Sequence, residues 1–291
     1  MDRRSFVKTV SLIGLSTIPL TAKSKPGTSK PSDKKEFKAI LVDITRCEGC
    51  QSCEYACLEA NGNPDFEPDD FEVNVERKTS VDQLTVINAY ETSKGEVYVK
   101  KQCMHCNQPA CVAACLTNAM EKTKEGPVIW HADKCMGCRF CMVSCPFHIP
   151  KFEYESNNPR IRKCTMCADR LKEGELPACV ENCPNEALVF GTRRELLEEA
   201  KRRIYQNPDD YHHEIYGEDV VGGTSYLYIS PVPFEELGFN TELETEALPK
   251  TTTGFLHGVP VIETLLPPFL LGIAAAAKWK SKKTEEVEDE E

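Results

Sequence analysis

Positive charge is scarce in this sequence. The 291-residue chain carries 35 lysines and arginines against 46 aspartates and glutamates, a formal net charge of −11. That balance offers no basic face and excludes a nucleic-acid partner. Phosphate-cradling loops are missing as well. No G-x-G-x-x-G follows a strand and no P-loop occurs, so no flavin, nucleotide or molybdopterin site is expected. Histidine gives no lead either: His105, His131, His148 and the His212–His213 pair stand at no metal-site spacing, and they read as structural or solvent-facing. Apolar character is modest, with 41% hydrophobic residues and a mean hydropathy of −0.40. The length suits one large domain or two small ones.

Cysteine is the opposite case. Sixteen occur, and they stand in four groups of four: Cys47, Cys50, Cys53 and Cys57; Cys103, Cys106, Cys111 and Cys115; Cys135, Cys138, Cys141 and Cys145; Cys164, Cys167, Cys179 and Cys183. Groups one and three have the spacing C-x2-C-x2-C-x3-C. Groups two and four keep the opening C-x2-C and the closing C-x3-C but widen the middle gap. Three closely spaced thiolates let a tight loop wrap one side of a 4Fe–4S cluster, while the fourth cysteine reaches away, in two-cluster ferredoxins to the other cluster. Pro146 and Pro184 follow the last cysteine of groups three and four, as in bacterial ferredoxins; Leu58 and Leu116 take that place in groups one and two.

Two rivals explain the pattern less well. Zinc sites use C-x2-C pairs, but as distant pairs or together with histidine, so a zinc-bound cysteine-rich structural protein remains only the alternative from another class. Disulfides would have to close mostly within C-x2-C loops, where they constrain little chain. Four 4Fe–4S clusters are therefore expected, held by all sixteen cysteines, with no catalytic residue of the chain's own. Spacing alone permits the fourth cysteines to be exchanged between groups one and two and between three and four, or between other pairs.

The ends read as addresses. Residues 1–22, with Arg3–Arg4 and a short apolar stretch from Val10 to Leu20, have the form of a twin-arginine export signal. A Lys-, Pro- and Ser-rich linker is expected over 23–36. The longest apolar stretch, Val259 to Ala277, would span roughly 28 Å as a helix against a hydrocarbon core of ~30 Å. Lys278, Lys280, Lys282 and Lys283 follow it, so the positive-inside rule puts that end in the cytoplasm and the preceding domain outside. A membrane anchor is expected over 254–280, interrupted at Glu263 and at Pro267–Pro268, and a solvated acidic tail over 281–291.

Between the ends, "AILVDITRC" and "PVIWHADKC" read as strands delivering the chain to Cys47 and Cys135. "DQLTVINAYETSKGEVYVKKQC" reads as a hairpin turning at Lys94–Gly95, and "GGTSYLYIS" as a further strand. Thr192 and Glu195 form a capping box for a helix whose apolar face is Leu196, Leu197, Ala200 and Ile204. Lys100 and Lys101, just before Cys103, read as a solvated strand end, with electrostatic tuning of a cluster as the alternative.

The segments "KKQCMHC", "CRFCMVSCPFHIPKFEY", "CVENCPNEALVFGTRRELLEEAKRR" and "YGEDVVGGTSYLYISPVPFEELG" resemble the four-cluster iron–sulfur subunits of membrane-bound respiratory oxidoreductases. With the two ends, the chain looks most like the HybA-type subunit of uptake nickel–iron hydrogenases. The resemblance implies an α+β fold over 37–250, built as two pseudo-symmetric bacterial-ferredoxin-like two-cluster halves with inserted strands, plus a C-terminal apolar helix. Groups one and four would make one half, and groups two and three the other. It further implies four ligand sets: Cys47, Cys50, Cys53 with Cys183; Cys164, Cys167, Cys179 with Cys57; Cys103, Cys106, Cys111 with Cys145; and Cys135, Cys138, Cys141 with Cys115. The implied role is non-catalytic electron relay on the periplasmic side of the membrane. The implied partners are a catalytic large subunit, of a hydrogenase or a molybdopterin enzyme such as formate dehydrogenase, and an integral-membrane quinone-reactive subunit or cytochrome.

Overall fold

The structure, a computed structural model, describes residues 36–288. The expected export signal and the linker up to residue 35 lie outside the described residues. Strand β1 (Lys38–Asp43) is the spine, with every residue after Lys38 buried. A strand covered on both faces must read as an unbroken apolar run, and Ala39–Ile40–Leu41–Val42 does. It pairs antiparallel with β8 (Leu188–Thr192) and parallel with β9 (Tyr226–Ile229). One face of this sheet, Ala39 and Leu41, is packed by Leu196, Ala200 and Ile204 of the capped helix Arg193–Gln206. The other face, Ile40 and Val42, joins the main core with Ile87, Val99, Tyr216, Tyr226, Tyr228 and Phe234.

The remaining strands form three short antiparallel pairs: β2 (Val86–Thr92) with β3 (Gly95–Lys101), β4 (Met120–Lys122) with β5 (Val128–Trp130), and β6 (Lys151–Phe152) with β7 (Ile161–Arg162). The first is the hairpin expected from the sequence, turning at Ser93–Lys94. Seen along the chain, the pairs form a ring. The segment leaving the last cysteine of each group leads to a strand that pairs with the strand entering the next group. Cys57 leads to β2 and β3 enters Cys103; Cys115 leads to β4 and β5 enters Cys135; Cys145 leads to β6 and β7 enters Cys164. Cys183 leads to β8, whose partner β1 enters Cys47, so the end of the cysteine region is tied to its beginning.

Short helices carry inner cysteines in α1 (Ser52–Ala60), α2 (Ala110–Ala113), α3 (Phe140–Val143) and α5 (Ala178–Glu181), while α4 (Ala168–Lys172) starts directly after Cys167. The capped helix is α6. After α7 (Leu248–Thr251) comes α8 (Thr253–Glu288). Here one expectation is corrected, because α8 runs without interruption through Pro260, Pro267 and Pro268. Proline's φ is itself helical, but each interior ring removes a hydrogen bond and crowds the carbonyl four residues back, so the helix continues there at a cost. Within α8, Gly258–Trp279 is long and apolar enough to cross a membrane, and from Pro260 to Trp279 its residues are exposed.

Candidate metal centres

The loop of every cysteine group bends in the same place. The residue before the second cysteine has a left-handed backbone in all four: Gly49 (φ 70°), His105 (φ 47°), Gly137 (φ 72°) and Met166 (φ 55°). Three residues past the last cysteine, Asn118, His148 and Glu186 repeat the feature in groups two to four. Side-chain-bearing residues adopt this region only where the surroundings enforce it, at about 1–3 kcal/mol each, and such strain gathers at functional sites. Right- and left-handed residues in succession gather backbone N–H groups into an anion-binding concavity. Several sulfurs already accept such donors. Cys115 Sγ takes the N–H of Ala119 at 3.2 Å and of Met120 at 3.4 Å, and Cys164 Sγ takes that of Met166 at 3.3 Å.

All sixteen thiols are free. Cys50 and Cys138 are exposed; Cys53, Cys57, Cys103, Cys111, Cys141, Cys145, Cys164 and Cys179 are buried; the other six are intermediate. Their electrostatic neighbours cross the group boundaries. Cys47 lies near Cys183 and Cys50, and Cys53 near Cys47. Cys57 lies near Cys164, Cys179 and Cys167. Cys106 has Cys103, Cys145 and Cys111 around it, and Cys141 has Cys115, Cys135 and Cys138. Two cavities follow the same division. One is lined by Cys47, Cys50, Cys53 and Cys183, the other by Cys57, Cys164, Cys167 and Cys179. We number these foursomes I (with Cys47), II (with Cys57), III (with Cys106) and IV (with Cys141). Electrostatic influence links them in series: Cys53 feels Cys179 between I and II, Cys164 feels Cys103 between II and III, and Cys111 feels Cys141 between III and IV.

The donors suit a large, strongly binding, electron-poor group. Among the described residues, no three His, Cys, Asp or Glu side chains converge as a single metal ion requires. Burial pushes the thiols of Cys47 and Cys141 up to about 11 and those of Cys111 and Cys164 up to about 12. Such thiols give up protons only to a cation that replaces them. Cys115 differs: burial raises it, but the Met120 N–H, the Thr117 hydroxyl and the Ala119 N–H outweigh that and hold it below the usual value. Tyr226 adds a further sign of fit. Its hydroxyl is buried, finds no partner among the described residues, and belongs to a residue lining foursome II. Clusters whose sulfurs accept hydrogen bonds therefore match the donors present.

Of the charged framework, sequence reasoning had only Lys100 and Lys101, and it preferred the wrong reading of Lys100. Lys100 is not a solvated strand end but is 2% exposed. It lines the cavities of both I and II, because the hairpin carrying it is covered on both faces. Burial works against its ammonium, yet Cys179, Cys53, Cys164 and Cys57 more than compensate and raise it. Lys101 stays nearer the surface, bonded to Glu76 at 2.8 Å. Lys163 is buried near foursome III, donating to the carbonyls of Val128 and Cys164. Lys122 donates to the His105 carbonyl at 2.9 Å, and burial brings it down to about 8. A signal was present: a basic residue stands at or just before the opening cysteine of every group, as Arg46, Lys100–Lys101, Lys134 and Lys163. Only Lys100 and Lys163 turn inward, since Arg46 and Lys134 are exposed.

A buried ion pair fixes α1. Glu54, next to Cys53, is wholly buried and receives Arg77 through both nitrogens at 3.0 and 2.9 Å, Gln83 Nε2 at 2.5 Å and the N–H of Ile87. Asp43 does the same for the approach to Cys47, accepting Arg203 at 2.7 Å and the Tyr211 hydroxyl at 2.9 Å. His105 is buried, its Nδ1 accepting the Val128 N–H at 2.8 Å.

Comparison with known proteins gives concordant results. The profile of the 4Fe-4S dicluster domain matches residues 95–193. A Nitratidesulfovibrio vulgaris protein is 43% identical over 97% of this chain and 78% of its own length. The hydrogenase-2 operon protein HybA of Escherichia coli O157:H7 is 35% identical, covering 81% of this chain and 83% of that protein. The iron–sulfur subunit of the nitrate-inducible formate dehydrogenase of Escherichia coli K12 is 36% identical over 68% of this chain and 71% of its own.

Proposed function

Because this chain belongs to the family of electron-transfer iron–sulfur subunits that includes HybA and the formate dehydrogenase iron–sulfur subunits, we propose that it holds four 4Fe–4S clusters, one in each of foursomes I to IV. Groups one and four then form one two-cluster half, and groups two and three the other. Bound there, the clusters supply one-electron carriers whose potentials follow local charge, hydrogen bonding and exposure. The chain's own part is to hold, order and insulate them. The left-handed loop residues aim backbone N–H groups, the buried lysines supply positive charge, and the packed strands keep water from foursomes II and III. The single observation that carries the reading is the regrouping of four sequential cysteine sets into four mixed foursomes linked in series.

The role is non-catalytic: a wire between a catalytic large subunit and a membrane quinone-reactive subunit or cytochrome. Each terminal foursome has an exposed cysteine, Cys50 in I and Cys138 in IV. Beside Cys138, the exposed Leu116, Met136, Phe140 and Val143 are apolar surface of the sort that partners cover. A hydrogenase partner is favoured because likeness to HybA covers 81% of this chain, against 68% for the formate dehydrogenase subunit. The twin-arginine motif and the apolar span of α8 support export of the loaded protein and anchoring on the periplasmic face.

Iron and acid-labile sulfide analysis of anaerobically purified chain tests the count, with about sixteen of each expected per chain. About eight irons, or zinc in their place, would overturn it. Co-purification with a nickel–iron large subunit, as opposed to a molybdopterin one, tests the partner.

A further inference from the structure

Lys100 occupies a place that the wire itself does not require. Its ammonium is buried where the cavities of foursomes I and II both reach it. It is held there by neutral acceptors, Thr85 Oγ1 at 2.6 Å and Gln102 Oε1 at 2.9 Å. Those acceptors are themselves fixed: the Thr85 hydroxyl donates to the Lys101 carbonyl, and Gln102 donates to the Tyr228 hydroxyl, which donates to the Lys100 carbonyl. The ring of Tyr226 lies 5.6 Å from the nitrogen. No part of this cradle neutralises the charge, so its field acts on the two thiol foursomes. In foursome IV the groups acting most strongly on Cys141 are its fellow cysteines Cys115, Cys135 and Cys138.

We propose that Lys100 is a shared electrostatic tuner, one fixed cation that raises the reduction potentials of the two adjacent clusters in foursomes I and II together. An electron reaching either foursome adds one negative charge, with no bond made or broken, and a nearby cation lowers the energy of that state. Because one charge serves both, it lifts both members of the pair. It also offsets the repulsion that an electron on one would exert on the other. The inference rests on the four-cluster reading above.

The test is a dithionite-driven potentiometric titration of the full chain, followed by electron paramagnetic resonance, on wild type and on Lys100→Gln, Lys100→Met and Lys100→Arg. Two of the four midpoints fall in the Gln and Met variants, while Arg keeps them near wild type and the other two move less. If Gln and Met lose the two clusters while Arg retains them, the charge serves to hold the clusters rather than to set their potentials, and the proposal is overturned. It is likewise overturned if no midpoint moves in the neutral variants, or if Arg disturbs the pair as much as Gln does. Iron content of the wild type separates the two levels: too few irons there condemns the four-cluster reading, whereas sixteen irons with unmoved midpoints condemns only the role of Lys100.

Discussion

The sheet β8–β1–β9 and the short ladders β4–β5 and β6–β7 frame the same kind of cysteine loop by different means. Around the sheet, a core of eighteen buried residues includes only two cysteines, Cys53 and Cys179, and α6 seals the opposite face. Around the ladders, two of five buried core residues are cysteines, Cys111 and Cys141. In the neighbouring cluster the proportion is three of four, Cys103, Cys145 and Cys164 with Ile149. One region has a core that would exist without metal. In the other, the proposed ligands are much of the core, and ladders of three and two residues add little. Identical loop chemistry thus rests on unequal foundations.

Stripping the iron should divide the two regions most sharply. After anaerobic chelation, hydrogen exchange is expected to show residues 103–162 losing nearly all protection while 38–43, 188–192 and 226–229 stay protected. Uniform loss across both would break the comparison. Next in size is Glu54→Ala, which leaves Arg77 buried and unpaired and should lower stability of the loaded protein by about 3–5 kcal/mol in anaerobic denaturation. The corresponding Met142→Ala in group three, on a half-buried side chain, should cost less. Smallest is a pair of matched glycines. A Cβ at Gly49 would stand 2.5 Å from the Tyr98 ring, whereas at Gly137 the nearest atom, on Phe152, is 4.0 Å away. Both pay the left-handed penalty, but only Gly49→Ala adds overpacking, so denaturation should give ~3 kcal/mol for it against ~1 kcal/mol for Gly137→Ala. Equal costs would mean that the hairpin does not brace the first loop.

Much of the site could be read from spacing, because the interval between cysteines along a loop is itself the geometry of a cluster's near side. The strands entering Cys47 and Cys135, the hairpin (its turn one residue earlier than expected, at Ser93–Lys94) and the capping box of α6 were equally legible, being local patterns. The company each fourth cysteine keeps was not, since several exchanges satisfy the same intervals. The neighbours now on view follow from long-range pairing, as when Val42 meets Leu188 and draws Cys183 to Cys47. Lys100 misled for a related reason. Charge beside a strand end usually faces water, and only the cover on both faces of β3 turns it inward. Glu54 carried no local sign at all, since its partners Arg77, Gln83 and Ile87 lie 23 or more positions away.

Exposure of a single thiol at each extremity, Cys50 and Cys138, with the middle of the row enclosed, sets how such a conductor would fail in air. Oxygen reaches the termini first, so oxidative loss would begin at the contacts with neighbouring subunits and leave the interior intact. A damaged molecule would remain folded and brown yet be disconnected, and shielding by bound partners would double as its protection.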